Sequence, residues 1–158
     1  MLAEVLEHAV WENEFPFRNI QGYSANVKAL YGKHFALLGN ASEFLDPVFS
    51  SGVTIAMHSA KLAADLLAKQ LNGGAADWQH EFAEPLMKGV NTFRTYVTGW
   101  YDGCFQDVIY AENRNADISR MLSSILAGYA WDNENPYVDK SERRLTALAE
   151  TVGAATLN

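Results

Sequence analysis

The sequence predicts a mainly α fold with one or a few short strands. Three observations support this: a long helical pattern over Gly52–Leu71, further helical patterns through most of 77–152, and one short apolar run bounded by glycines. The 158 residues suffice for one domain with a core. Because a lone buried strand needs neighbours, 1–158 is predicted to be either a single domain or a fragment of a larger fold.

Residues 1–34 are predicted to hold an N-terminal helix followed by an irregular or strand-like segment. Apolar residues recur at helical spacing over 1–14, and Pro16 ends that pattern. Gly22 and Gly32 then indicate turns.

Residues 35–71 are predicted to form a strand, a loop and a helix. The apolar run Phe35–Leu38 is typical of a fully buried strand, and the loop that follows is rich in small and turn residues. A helix is expected over Gly52–Leu71, and Asn72-Gly73-Gly74 ends it. One helix face is mostly small, which predicts close packing against another element; it comprises Ala56, Ala60, Ala63, Leu67 and Leu71.

Residues 72–158 are predicted to be a helical layer. Asp77 is a suitable N-cap for a helix that runs towards Glu112, with a kink or division at Pro85. Two more helices are expected over 116–129 and 141–152, separated by a loop.

Charge and cysteine content exclude some functions. A net charge of −7 argues against a nucleic-acid partner, since phosphate binding needs a basic face. The single cysteine, Cys104, permits no intrachain disulfide and favours a reducing compartment. No apolar window is long enough for a membrane span, and no signal-peptide pattern opens the chain, so a cytoplasmic protein is expected. The histidines have no metal-ligand spacing, and no metal site is predicted.

The loop after the predicted strand is the candidate site. Gly39 would let a ligand approach the backbone, and Asn40 would lie at the carboxyl end of the strand, where open α/β sheets bind ligands. Ser50-Ser51-Gly52 would give an accessible helix N-terminus that favours an electron-rich or anionic group. Taken alone, the same residues are better explained as turns and an ordinary helix cap.

The run GNASEFLDPVFSSGVTIAMHSAKLAADLL resembles the second FAD-contacting motif of the flavin monooxygenase superfamily, and most closely that of flavin-dependent halogenases and geranylgeranyl-reductase-like enzymes. The resemblance implies the C-terminal helical part of an α/β FAD-binding fold, with FAD bound in the complete enzyme. It implies that Asn40 contacts the ribityl chain and that the backbone around Gly52 faces the flavin C2 carbonyl. The implied cofactor-binding residues are Gly39, Asn40, Ala41, Asp46, Pro47, Ser50, Ser51, Gly52 and Val53.

The sequence departs from the family pattern in three places. Asn40 replaces the usual aspartate, which keeps hydrogen bonding without the charge. Phe49 lies where tryptophan halogenases carry a catalytic glutamate, so no catalytic residue is assigned in this chain. Phe49, Ser51 and Gly52 would face the substrate or a halide. The glycine-rich fingerprint for the ADP half of FAD is absent, which implies an N-terminal nucleotide-binding half as the missing partner.

The resulting prediction is the C-terminal portion of an FAD-dependent, halogenase-like or monooxygenase-like oxidoreductase, inactive alone. It would form one wall of the flavin site and cover a pocket for a small organic substrate. The alternative is a cofactor-free helical interaction module. In either case an exposed apolar face would allow homo-oligomers.

Overall fold

A computed structural model describes residues 24–112 and 115–156, together with a few positions near the N-terminus. The helix predicted over 1–14 therefore lies outside the described residues, except at Glu7, His8 and Val10.

Four two-residue strands form two small antiparallel pairs. Strand β1 (Ala25–Asn26) pairs with β4 (Glu43–Phe44). Strand β2 (Tyr31–Gly32) pairs with β3 (Phe35–Ala36) as a hairpin. Within the described part of the chain, no wider sheet is present.

The prediction of a fully buried strand over Phe35–Leu38 is wrong. The strand ends at Ala36, and the side chains of Phe35 and Leu38 are 54% and 40% exposed. The physical reason is the pairing: a two-stranded hairpin has no second sheet layer to cover both of its faces.

Helix α1 spans Gly52–Leu71, as the sequence predicts, and Gly73 follows it with φ of +81°. On the face expected to pack closely, Ala60, Leu67 and Leu71 are exposed, so the described part of this chain supplies no element that covers them. The helix has apolar residues on two faces, and the core of this chain takes the face that carries Ile55 and Leu66. That buried face comprises Ile55, Ser59, Ala63 and Leu66.

The helical layer begins at Trp78, where the Asp77 carboxylate accepts hydrogen bonds from the N–H groups of Gln79 and His80 at 3.1 and 3.0 Å. A π-helical turn over Gln79–Ala83 leads into α2 (Glu84–Asp102). Pro85 therefore marks the change of helix type that the sequence predicts as a kink or division.

A second break, at Gly103, was not predicted. Gly103 has φ of +92°, which ends α2 before α3 (Cys104–Tyr110) begins. Helix α4 spans Ala116–Leu126 and is capped by the side chain of Asn115.

A one-turn helix, α5 (Pro136–Asp139), interrupts the loop predicted after α4. The Asn135 side chain accepts a hydrogen bond from the N–H of Tyr137 and so caps it. The last helix, α6, spans Ser141–Thr156 and extends beyond the predicted end at residue 152.

The core lies between α1, α2 and the later helices. Its fully buried apolar side chains come mostly from α2 and its neighbours: Phe82, Leu86, Val90, Phe93, Tyr96, Phe105 and Ile125. The architecture is mainly α, as predicted. Over the described residues, every helix is too short or too polar to cross a membrane.

Close packing in the core requires a glycine on α2. The indole of Trp131 lies against Gly89 so closely that a Cβ there would approach within 2.0 Å of the ring. The Trp131 Nε1–H donates to the Pro85 carbonyl at 2.8 Å, and the ring stacks on His58 at a centroid distance of 3.9 Å. Trp131 therefore joins α1 to α2.

Candidate functional site

The first turn of the site is held by α1. Gly39 adopts φ of +54°, and the 3₁₀ turn Gly39–Ala41 follows. The Gly39 N–H donates to Ser59 Oγ at 3.0 Å, and Ser42 Oγ donates to the Gly39 carbonyl at 2.6 Å. A Cβ on Gly39 would lie 3.0 Å from the Ala56 Cβ, so both the left-handed backbone and the close contact require glycine.

The second turn, Pro47–Phe49, is organised by Asp46. Asp46 Oδ1 accepts the Val48 N–H at 2.8 Å, and Oδ2 accepts the Tyr101 hydroxyl at 3.0 Å. The chain then passes through Ser50, which has φ of +53°, before α1 begins. Ser50 and Val53, on either side of the helix start, are exposed.

The two turns place Asn40 beside the N-terminus of α1. A Cβ on Gly52 would lie 3.1 Å from Asn40 Oδ1. The first N–H groups of a helix have no partner within it and carry a partial positive charge. Hydrogen-bonding groups of two kinds, a side-chain amide and helix N–H groups, therefore face the same space.

A surface cavity of about 710 Å³ occupies that space. Eight of the nine predicted cofactor-binding residues line it: Gly39, Asn40, Ala41, Asp46, Pro47, Ser50, Gly52 and Val53. The remaining one, Ser51, is buried and does not line the cavity. The structure thus brings together residues that are up to fourteen positions apart.

Phe49 points away from this cavity. Its ring packs edge-on against Trp100 and Phe105, each at a centroid distance of 5.7 Å. Of the three residues predicted to face substrate or halide, only Gly52 lines the cavity, whereas Ser51 and Phe49 do not.

Sequence reasoning missed several residues of the site. Leu38, Phe44 and Ala56 also line the cavity and give it an apolar wall. Ala56 could have been found, since it lies one turn after Gly52 on the predicted helix. Tyr101 contacts Asp46 from 55 positions away, which no local pattern indicates.

The cavity combines an apolar wall with a polar edge, a lining that fits a flat organic ring with polar atoms on one side. The described residues contain no cluster of histidine, cysteine or carboxylate groups that could hold a metal ion. Cys104 lies elsewhere, and burial raises the pKa of its thiol, which disfavours the nucleophilic thiolate.

A second cavity, also of about 710 Å³, lies between the β2–β3 hairpin and α1. It is bordered by an exposed apolar stripe along the whole helix, which we call the outer stripe. Its members repeat at steps of four and three: Val53, Met57, Ala60, Ala64, Leu67 and Leu71. That period is the one with which helices pack against other helices.

Comparison with known proteins finds partial similarity to halogenases and to a flavoprotein. No family model matches it. A 1H-pyrrole-2-carbonyl-[peptidyl-carrier protein] chlorinase from Pseudomonas fluorescens is 32% identical over 88 residues, which are 54% of this chain and 20% of the chlorinase. A tryptophan 2-halogenase from Chondromyces crocatus is 45% identical over 60 residues, 38% of this chain and 11% of that protein.

A solved structure, described as a flavoprotein/dehydrogenase from Cytophaga hutchinsonii, superposes with a TM-score of 0.83 at 45% identity. The match covers 85% of this chain and 33% of that one. This chain therefore corresponds to a minor part of each relative.

These matches indicate the class that the chain resembles: its fold is similar to part of a flavoprotein structure, and its sequence to parts of halogenases. Within that class the chain is similar, over part of its length, to flavin-dependent halogenases, as the motif predicts.

Proposed function

We propose that this chain forms one wall of the flavin site in an FAD-dependent, halogenase-like or monooxygenase-like oxidoreductase. The observation that carries the proposal is the cavity at the start of α1, which unites eight residues chosen from the motif alone. Relatives named as flavin-dependent halogenases support the cofactor assignment.

The residues of the cavity fit the polar edge of an isoalloxazine ring. Asn40 would hydrogen-bond the ribityl chain, and the N-terminus of α1 near Gly52 and Val53 would face the C2 carbonyl. When bound, FAD supplies the redox chemistry. The helix N-terminus would favour negative charge on that edge, because its N–H groups and dipole stabilise anions.

The rest of the complete protein is proposed to cover the outer stripe of α1. Val53, Met57 and Leu71 are each more than 70% exposed, an uncommon arrangement for one face of a long helix. Since the chain matches 33% of the flavoprotein structure, the portion that has no counterpart here is large enough to pack against this face. Without it, we propose, the chain has no activity of its own.

The substrate is proposed to be a small organic molecule, with residues 72–158 covering its pocket. The relatives named above act on a carrier-bound pyrrole and on tryptophan, both of them aromatic. Phe49 cannot transfer protons and packs inward, so proton transfer by this position is not part of the proposal. Use of halide and a cytoplasmic location stay predictions.

The test is the affinity of the complete protein for FAD, measured by quenching of flavin fluorescence. Asn40→Ala removes a hydrogen-bonding side chain from the cavity, and we expect the Kd to rise about tenfold. Asn72→Ala, an exposed asparagine beyond the far end of α1, is the matched control and should leave the Kd unchanged. Equal Kd values for all three proteins would contradict the proposal.

A second candidate, a cofactor-free interaction module, is favoured by the same outer stripe. It predicts that the 158-residue chain forms a defined dimer through α1 and that the complete protein binds no FAD. Light scattering on the wild type and on Leu67→Lys tests this. A dimer that Leu67→Lys dissociates, together with absent FAD binding, would favour the module over the flavin wall.

A further inference from the structure

The loop that lines the cavity is tied to α2 at two points. Arg94 and Tyr101 lie seven residues apart on α2, which places them on the same helix face. Arg94 Nη2 contacts Glu43 Oε1 at 2.6 Å, and the Tyr101 hydroxyl donates to Asp46 Oδ2 at 3.0 Å. Glu43 and Asp46 flank the segment between the two turns of the site.

The Glu43–Arg94 pair fixes the position of the loop more firmly than an ordinary surface pair would. The Glu43 side chain is only 6% exposed, while Arg94 is 38% exposed. A buried carboxylate without a cation is strongly unfavourable, so the loop keeps the arrangement that preserves this contact. Through β4, Glu43 also fixes the pairing with Asn26.

The Tyr101 contact acts on the cavity directly. Asp46 lines the cavity, and its two carboxylate oxygens are used by Val48 on one side and Tyr101 on the other. The carboxylate is therefore oriented from within its own turn and from α2. A shift of α2 would change where this carboxylate points.

We infer that Arg94 and Tyr101 are positioning residues for the cavity, acting through Glu43 and Asp46. Helix α2 thereby couples the helical layer, with its proposed role over the substrate, to the proposed flavin wall. The inference rests on the proposed function, because the site to which α2 is coupled is the flavin site proposed above. The coupling itself is a property of this chain.

The first arm of the test needs no cofactor. In ¹H–¹⁵N NMR spectra of the 158-residue chain, Arg94→Gln and Tyr101→Phe should shift the amide signals of Asn40, Val48 and Gly52. The matched controls are Tyr129→Phe, an equally exposed tyrosine, and Arg120→Gln, an exposed arginine paired with Asp117. If Arg94→Gln and Tyr101→Phe move these signals no more than the controls do, the inference is overturned.

The second arm measures FAD affinity in the complete protein. We expect the Kd to rise about tenfold for Arg94→Gln and about threefold for Tyr101→Phe, with the unfolding midpoint of the latter unchanged. Adding Glu43→Gln to Arg94→Gln removes the unpaired carboxylate, so it should restore stability, while the affinity stays lowered because the contact that positions the loop is still absent. A double variant with the affinity of the wild type would contradict the positioning role.

The two arms separate the inference from the proposal beneath it. If the NMR signals move while FAD affinity stays constant in every variant, the positioning role stands and the flavin assignment fails. If both change together, both are supported.

Discussion

The helical layer and the outer face of α1 differ sharply in how deeply their apolar side chains are buried. In the layer, Leu86 and Phe93 are completely inaccessible to solvent. On α1, Met57 and Leu71 are 71% and 78% exposed, although their side chains are equally apolar. Burial of an apolar side chain stabilises a protein by about 1.5–3 kcal/mol, and the exposed side chains of the α1 face contribute little of this.

The difference indicates that the two regions pack against different things. The layer completes its own core from residues of this chain. The α1 face and the adjoining cavity have the composition of an interior but the exposure of a surface, which is typical of a face that meets another polypeptide or a ligand. The candidate site lies at the end of this face, where α1 begins.

The largest expected effect compares matched leucines in the two regions. Leu86→Ala should lower the free energy of unfolding by about 2–5 kcal/mol, because it opens a cavity in a close-packed core. Leu71→Ala should change it by less than about 0.5 kcal/mol, since its side chain contributes little buried area. Urea unfolding of the 158-residue chain measures both, and similar losses would remove the distinction between the regions.

A smaller effect is expected at Gly39, in the first turn of the site. Gly39→Ala should destabilise the chain by about 1–2 kcal/mol, because φ of +54° disfavours a side chain and Ala56 lies close. Gly153→Ala, at an open position in α6, should instead stabilise the chain by up to about 0.5 kcal/mol. A thermal midpoint that falls in Gly39→Ala and rises in Gly153→Ala would confirm that the turn needs its glycine. A neutral Gly39→Ala would contradict the close packing against α1.

The smallest expected effect is the pH dependence of stability that His58 contributes. Its ring joins the two regions by stacking on Trp131. Its pKa is lowered from 6.5, mainly by burial and secondarily by the charge of Lys61. The unfolded chain therefore takes up this proton first, so the contribution of His58 to stability is full above about pH 6.5 and decreases as the pH falls below it.

His80 provides the contrast for that measurement. Its pKa is raised from 6.5 by the hydrogen bond and charge of Asp77, so its contribution is present at low pH and is lost as the pH rises through the raised value. Between pH 5 and 8, the slope of the thermal midpoint against pH should be less positive in His58→Gln than in the wild type and more positive in His80→Gln. A His58→Gln profile identical to the wild type would contradict burial of the ring.

The sequence predicted elements best where a local pattern sufficed. The bounds of α1 follow from small and apolar spacing between Gly52 and the glycines after Leu71, and the cap at Asp77 follows from its residue type. The prediction for Phe35–Leu38 failed because burial depends on neighbours that no local pattern specifies. The same holds for the buried face of α1, since two apolar faces compete and tertiary packing selects one.

The residues of the candidate site could be predicted where they lie within one short stretch of the sequence, and could not be predicted where they are far apart in it. The motif assembles Asn40, Asp46 and Gly52, and all three line one cavity. The contacts of Arg94 and Tyr101 join positions 51 and 55 residues apart, which only the folded chain brings together.

The central claim is that the cavity at the start of α1 receives the flavin. Hydrogen exchange of the complete protein with and without FAD tests it most directly, because protection is read along the backbone. If FAD binds in this cavity, protection increases over residues 39–41 and 50–53, and residues 116–152 change little. Unchanged exchange at 39–41 and 50–53 in an FAD-saturated protein would contradict it.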